Sequence, residues 1–439
     1  MINIQNNLEQ NDKEIFDLVK LEEQRQQTTL SMIPSENYTS LAVREALGSV
    51  LVHKYSEGQV GKRYYEGNEY IDQIEQIAKD RASSLFKLPI NWRVNVQAHS
   101  GSLANLAVLT GLLNPSDRVM SMYLPDGGHL SHGWKLENGT PISFASRIFD
   151  INLYRVDKQT EVFDYDAIEK QAIEFEPQLI IAGGTSYPQL IDHERMAAIA
   201  HKVGGYYLAD IAHESGLIAA GVNPSPIGIA DVVTMTTHKT IRGPKGALIL
   251  GKMELMSKID SAVFPGLQGG PFNNNIAGIA VCLKEAQSDE FKNYANQVIV
   301  NAKYLARLLG DFGYSIVSGG TAKHLVLINL INQNITGKVA ARALAYGGII
   351  CNKNTIPFET KSPFNPSGIR MGTPTITTRG MKEEQIKLIA SFIHTILQDI
   401  KNVDTQEMNF DEINKLLSEN STIQQIKNEV KNLCAQFPL

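Results

Sequence analysis

The sequence predicts an α/β protein with a mostly parallel central sheet, and three observations carry that prediction. From about residue 97, short apolar runs alternate with stretches of helical period. The runs are rich in Val, Ile and Leu, as strands covered on both faces require. Two polar residues, Asp210 and Lys239, stand at the C-terminal ends of such runs, where α/β sheets place their ligands.

The elements follow in order. Residues 12–27 read as an amphipathic helix with Asp12 as its cap and Ile15, Leu18, Val19 and Glu22 at helical spacing. "PSENYTS" breaks that pattern. A second helix over 69–87 places Ile71, Ile74, Ala78 and Leu85 on one face. "SGSLANLAVLTGLL" is a helix opened by small residues, and "DRVMSMYL" and "RIFDINLYRV" are strands. "YDAIEKQAIEF" is a helix, "QLIIAGG" a strand and "ERMAAIAHKV" a helix. "YYLADIAH", "ADVVTMTTH" and "GALILG" are further strands. Residues 275–310 are strongly helical and read as a connector. Beyond "GDFGYSIVSGG" a smaller unit begins, with strands "HLVLINL" and "IICNKN" around the helix "KVAARALAYGG", closed by helices from about 381. The expected organisation is an N-terminal arm (1–50), a large domain (51–280) and a smaller C-terminal α+β domain (281–439).

At 439 residues the chain is too long for one ordinary core. Its 43% hydrophobic and 20% charged residues are those of a globular protein. A net charge of −5, without a basic patch, speaks against nucleic acid as a partner. The three cysteines match no metal spacing, and no metal is expected; such sparse use fits a reducing compartment. The opening segment has neither the basic nor the apolar stretch of a secretory signal, and no apolar run is long enough to span a membrane, so a cytoplasmic protein is expected.

Several residue groups suggest chemistry. A lysine aimed at the centre of an α/β sheet, with an aspartate on a neighbouring strand, is what pyridoxal phosphate needs. The lysine bonds the cofactor, and the aspartate keeps the ring nitrogen protonated so that the ring accepts electrons. Ser100, Gly101 and Ser102 open a helix, where free amides and the helix dipole favour a phosphate. "PGLQGGP" is a second turn with free amides. Tyr55, Tyr64 and Tyr65 surround Glu57 in a polar, glycine-containing segment, which suits a site wall with a proton-transfer group. Arg370, flanked by glycines in "SGIRMGTP", suits a carboxylate anchor. Each feature alone also has a plainer reading. Asp210 and the SGS run serve as ordinary helix caps, Lys239 as a solvated loop lysine, the glycine-rich and tyrosine segments as surface loops, and Arg370 as half of an ion pair. Their occurrence together favours the chemistry.

Read together, the motifs "IPSENY", "KYSEG", "GKRYYEGNEYID", "HSGS", "GGHLSHG", "THKT", "SAVFPGLQGGP", "VSGGT", "CNKN" and "SPFNPSGIRMGTP" closely resemble serine hydroxymethyltransferases over nearly the whole chain. The resemblance implies the pyridoxal-phosphate-dependent transferase fold of type I. It implies reversible conversion of serine and tetrahydrofolate to glycine and 5,10-methylenetetrahydrofolate. Lys239 would be the Schiff-base lysine and Asp210 the partner of the ring nitrogen. His129 would stack on the ring, His213 would meet its phenolic oxygen, and Thr185 would add a hydroxyl beside it. Ser100, Gly101, Ser102 and His238 would bind the phosphate. Ser35 and Arg370 would hold the substrate carboxylate, Glu57 would be the acid/base and Tyr65 its neighbour. Tyr55, Glu57, Tyr65 and Gly270 would cross to the other subunit of a homodimer. Leu124, Leu130 and Asn354 would line the folate site.

The chain departs from the family pattern at a few positions. Lys245 replaces an arginine and is expected to alter a contact near the site. Glu214 follows His213 where a small or apolar residue is usual, and is expected to raise that histidine's pKa if the two approach. Asp126 stands where histidine is frequent, and the Trp134–Gly139 segment is expected to reshape the approach to folate. The rival readings on the same scaffold are an α-methylserine hydroxymethyltransferase and a β-hydroxy-amino-acid aldolase. A binding protein that had lost activity would be expected to lose Lys239, Asp210 or Arg370, and all three are present.

Overall fold

Successive residues of the central strands face opposite sides of one sheet, and both sides are apolar. In the computed structural model, which describes residues 5–136, 138–401 and 408–439, that sheet has seven strands. They are β1 (Trp92–Asn95), β2 (Arg118–Met122), β3 (Asp150–Tyr154), β4 (Leu179–Ala182), β5 (Tyr206–Asp210), β6 (Val232–Thr236) and β7 (Ala247–Lys252). Their order is β1-β7-β6-β5-β4-β2-β3. All neighbours are parallel except β7, which runs antiparallel to β6 and β1.

The period of two sorts each strand into two cores. Leu179, Ile181, Leu208, Val232, Ala247 and Ile249 pack on one face. Ile180, Ala182, Tyr207, Ala209, Val233, Met235, Leu248 and Leu250 pack on the other. Both faces therefore need helices over them. With α1 (Lys13–Thr28) and α2 (Glu69–Leu85) preceding it in the chain, α3 (Gly101–Leu112) covers the first face through Ala104, Ala107, Val108 and Leu109. The second face is covered by α2, α4 (His193–Lys202) and, after the short α5 (Ser215–Ala219), α6 (Asn273–Glu285).

The long helix α7 (Asp289–Asp311) enters both halves of the molecule. Phe291 and Val298 belong to the core on the sheet's second face, while Leu305 and Leu309 belong to a separate one. That separate core lies on an antiparallel sheet of order β8-β9-β11-β10, formed by β8 (Ser315–Ile316), β9 (Leu325–Asn329), β10 (Asn352–Asn354) and β11 (Gly368–Gly372). The N-terminal arm joins it: Leu30 and Met32 are fully buried there, and the Gly372 amide donates to Met32 O at 2.7 Å.

The helices and strands expected from the sequence are found, with some differences. Strands β1, β8 and β11 were not expected: β8 has two residues, and β1 (WRVN) and β11 (GIRMG) interrupt their apolar residues with Arg, Asn or Gly. The first residues of "RIFDINLYRV" belong to the short helix Phe144–Ile148, and the strand begins at Asp150. Asp12 caps α1 as expected, accepting from Ile15 N at 3.1 Å. No residue of α1 is buried, so the row of Ile15, Leu18 and Val19 faces away from this chain. Among the described residues, no helix is long and apolar enough to cross a membrane.

Ile181, fully buried on β4, and Ile173, 49% exposed on its helix, give a contrast. Ile181→Ala removes packed methyl groups and should cost about 2–5 kcal/mol, read as a lower urea midpoint. Ile173→Ala should leave the midpoint within error of the parent.

Candidate active site

Asp210 ends β5, in register with Thr234 of β6. The period of two places both on the face covered by α3. Asn105, on the second turn of α3, therefore reaches both. Its Nδ2 donates to Asp210 Oδ2 at 2.7 Å and to Ser131 Oγ at 2.9 Å, and its Oδ1 accepts from Thr234 Oγ1 at 2.6 Å. His132 Nε2 lies 2.8 Å from Asp210 Oδ2, and the Ala212 amide donates to Oδ1 at 2.9 Å. Burial pushes the Asp210 pKa up, but the hydrogen bonds and charge of His132, with His129 and Asn105, outweigh it. The carboxyl is held well below the usual range and stays ionised.

His129 Nδ1 meets Ser131 Oγ at 2.7 Å, and its ring centroid is 5.4 Å from that of His132. Burial pushes His129 down to about 4, so it presents a neutral ring near neutral pH. The facing atoms of His129, His132 and Asp210 lie within 4.8 Å of one another. That spacing alone would suit a divalent cation, but the His132–Asp210 hydrogen bond already uses two of the three.

Lys239 stands on the turn after β6. Thr237 Oγ1 donates to Pro244 O, and Thr240 Oγ1 donates to His213 O, which fix this turn from both sides. Asn37 Nδ2, from the arm, donates to Lys239 O at 3.0 Å. Gly216 passes so close that a Cβ there would lie 2.4 Å from the Thr240 carbonyl carbon. Lys239 is 7% exposed, and its side chain has no hydrogen bond or ion pair among the described residues. Burial pushes its ammonium down to about 8, although Asp210 pulls it up. His238 Nδ1 is buried without a partner.

Arg370 comes from the other sheet, on β11. Its Nε donates to Asn352 Oδ1 at 3.0 Å and its Nη1 to Thr185 O at 2.6 Å. It has no carboxylate partner among the described residues, so the ion-pair reading fails. Burial alone pushes it down to about 10. Thr185 Oγ1 is also buried and unpaired. Ser35 is half-buried, just beyond Pro34, which packs on Gly372 two residues past Arg370. His213 Nδ1 lies 3.2 Å from His324 Nε2, and the two rings stack at 5.3 Å. The expected rise in the His213 pKa is not found. Burial, with the charge of Lys239, pushes it well down. Glu214 meets Lys323 and Asn223 instead.

The remaining expected residues form two further groups. Tyr55 and Tyr65 pack edge to face at 5.3 Å, and both are about half exposed. A Cβ at Gly270 would lie 3.4 Å from the Tyr55 ring, and one at Gly269 would lie 3.3 Å from Glu57 Oε1. Arg63, its side chain 4% exposed, holds this segment from beneath by bonding Ser56 O, Gly58 O, Asp72 and Glu75. Among the described residues no hydrogen bond, ion pair or ring contact joins Tyr55, Glu57 or Tyr65 to Lys239, Asp210 or Arg370. The segments carrying Leu124 and Asn354 meet at one edge, where Thr355 Oγ1 donates to Pro125 O at 3.1 Å and Asn354 Nδ2 donates to Ser186 Oγ at 3.3 Å. Leu130 is 53% exposed. Buried Trp134 packs on Tyr123, next to Leu124; Glu137 of the same segment lies outside the described residues. Asp126 is buried and paired with Arg155 at 2.8 Å, while Lys245 is exposed.

Pyridoxal phosphate fits the residues present. A buried amine without a partner, two orphaned polar atoms (Thr185 Oγ1 and His238 Nδ1) and an ionised carboxylate surround the strand ends. The first turn of α3 offers the Gly101 and Ser102 amides, while Ser100 Oγ accepts from Leu103 N. Sequence reading missed Asn105, His132, His324 and Asn352. Only His132 had a signal, its spacing of three from His129 in "GGHLSHG".

The family model for serine hydroxymethyltransferase matches residues 8–393. A serine hydroxymethyltransferase of Methanosarcina barkeri (strain Fusaro / DSM 804) is 49% identical over 433 residues, covering 98% of this chain and 99% of that protein. With the buried lysine, the ionised aspartate and the unpaired arginine gathered at the strand ends of a type I fold, the chain belongs to the serine hydroxymethyltransferase family.

Proposed function

We propose that Lys239, Asp210 and Arg370, with Glu57 supplied by a second copy of the chain, are the working groups of a hydroxymethyl-transfer site. The enzyme uses pyridoxal phosphate and tetrahydrofolate, and converts serine reversibly to glycine with formation of 5,10-methylenetetrahydrofolate. One observation supports the residue assignment most. Lys239 is buried without a partner, and Asp210 and Arg370 both lie close enough to act on its charge.

Bound at this site, pyridoxal phosphate supplies the sink for the electron pair left when the substrate Cα–Cβ bond breaks. Ser100, Gly101 and Ser102 hold its phosphate at the positive end of α3, with His238, and with Tyr55 and Gly270 from the second copy. Asp210 keeps its charge and holds a proton on the ring nitrogen. His129 offers a neutral face, and His213 and Thr185 offer hydrogen bonds at the ring oxygen. Arg370 has Nη2 free for the substrate carboxylate, with Ser35 beside it; fixing that carboxylate orients the Cα–Cβ bond. Lys239 Nζ, pushed by burial down to about 8 and so neutral in part near that pH, would hold the cofactor and would take or return a proton. Glu57 moves a proton at the serine hydroxyl, with Tyr65 as its neighbour. Leu124, Leu130 and Asn354 form the folate wall.

The homodimer is supported by what this chain leaves uncovered. Val50, Tyr64 and Tyr70 are 75%, 74% and 70% exposed, alongside the bare face of α1. Large apolar side chains left this exposed suit a surface that another chain covers. A cytoplasmic site of action is supported by three buried free thiols, Cys282, Cys351 and Cys434.

Purified enzyme should release glycine from serine far faster with tetrahydrofolate than without it; equal rates would move the assignment to an aldolase. Arg370→Ala should raise the KM for serine about 10- to 100-fold, the loss of a charged hydrogen bond, while the visible absorption of bound cofactor persists. Normal serine binding in that variant would refute the anchor. Lys239→Ala and Glu57→Gln should each be inactive alone. Mixed and reassembled at equal amounts, they should regain about a quarter of parental activity, because half the dimers then carry one intact shared site. No recovery would place Glu57 in its own chain's site.

A further inference from the structure

One buried pair of charges is used by none of the steps above. Glu214 follows His213 on the turn from β5 to α5, and Lys323 precedes His324 at the start of β9. The two residues thus come from the two different sheets. Lys323 Nζ lies 2.5 Å from Glu214 Oε1, with the side chains 1% and 10% exposed. Asn223 Nδ2 donates to the other carboxylate oxygen at 2.8 Å. The ammonium also faces the Tyr187 ring at 5.3 Å, but it makes no well-aligned hydrogen bond.

Such a pair adds little net stability, because desolvating both charges offsets their attraction. It nevertheless resists separation, since parting the two would leave a bare buried charge. The neighbours of the pair are the two stacked histidines. His324 is tied in turn to β11 through its own carbonyl, which accepts from Thr373 N at 3.0 Å. The segment before it is tied to the first sheet's loops, with the Ala322 amide donating to Pro188 O at 3.0 Å. Lys239 and Arg370 act on the histidines from the site side, and His193, bonded to Tyr207, lies within the field of Glu214 and Lys323.

We propose that Glu214 and Lys323 are positioning residues: their ion pair locks the β9 sheet against the end of β5 and holds His324 on His213, which sets the His213 ring toward the cofactor. The proposal rests on the reading that His213 faces the cofactor. It also accounts for an acidic residue beside His213 that leaves that histidine neutral.

The test compares holoenzyme carrying Glu214→Gln, Lys323→Met, both changes together, or His213→Gln. Three quantities are read: the thermal midpoint, the dissociation constant of pyridoxal phosphate, and the pH midpoint of the bound cofactor's visible absorption. Each single charge change should lower the thermal midpoint, weaken cofactor binding about tenfold and shift the pH midpoint. The double variant has no lone charge, so it should recover the thermal midpoint but keep the shifted pH midpoint and the weak binding. A double variant with parental absorption and affinity would overturn the proposal, leaving the pair a matter of stability alone. So would single variants with parental absorption. If either single variant fails to fold, Glu214→Asp, which keeps the charge and shortens its reach, should show the same absorption shift, and its absence is equally decisive. His213→Gln must itself shift the pH midpoint. If it does not, the proposal falls because His213 does not face the cofactor, whatever the ion pair does.

Discussion

Asp210 must keep a negative charge where burial disfavours one, and this constraint organises everything around it. Three donors resolve it, each from a different part of the chain: Asn105 on α3, His132 on the β2–β3 connection and the Ala212 amide on its own turn. The charged hydrogen bonds outweigh desolvation. Each donor also places something else. Asn105 fixes α3 against the strand ends, which brings Ser100 and Gly101 to the same opening. His132 fixes the short segment that carries His129. The turn through Ala212 carries His213.

The cations pose the opposite problem. Lys239 and Arg370 are buried with no carboxylate bonded to either among the described residues, and burial pushes both below their ordinary values, although Asp210 partly offsets this at Lys239. A fold carries such a cost where the groups are needed for a ligand. Their supports are neutral: Asn352 and the Thr185 carbonyl for Arg370, and a turn braced by Thr237, Thr240 and Asn37 for Lys239. In the function proposed above, serine's carboxylate and the cofactor would supply the missing counter-charges. Because Arg370 comes from the second sheet and Lys239 from the turn after β6 of the first, the relative placement of the two sheets sets how these two cations face each other. The Glu214–Lys323 pair crosses between those sheets.

The segment holding Tyr55, Glu57 and Tyr65 follows a different logic. Buried Arg63, with Asp72 and Glu75, gives the loop a firm base, and its aromatic and acidic side chains are left to point outward. A loop that served only its own chain would gain by burying two tyrosines. Anchored on buried Arg63 yet leaving Tyr55 and Tyr65 about half exposed, it fits the shared site proposed above.

Much of this was legible from residue order. Strand and helix positions follow from periods of two and 3.6, which a dozen residues suffice to show, and Asp12 as a cap from its own local chemistry. Asp210 and Lys239 were visible because a charge at the end of an apolar strand contradicts its surroundings, and Arg370 because it stands alone among apolar residues and glycines. Strand β1 was not, because its polar Arg93 and Asn95 break the apolar run that marked the other central strands. Asn105, His324 and Asn352 were invisible for another reason: each is an ordinary polar residue whose role is defined only by what it touches. Asn105 lies 105 positions from Asp210, and His213 lies 111 from His324. The Glu214 side chain shows the limit most plainly. Its place beside His213 suggested a raised pKa, yet packing turned it toward Lys323. Sequence by itself determined the fold class, the strand ends and the charged groups of the site, because those are written in local pattern. Only the tertiary structure decided which charges are paired, which are left open, and which loops face outward, because pairing across the chain depends on how whole elements pack.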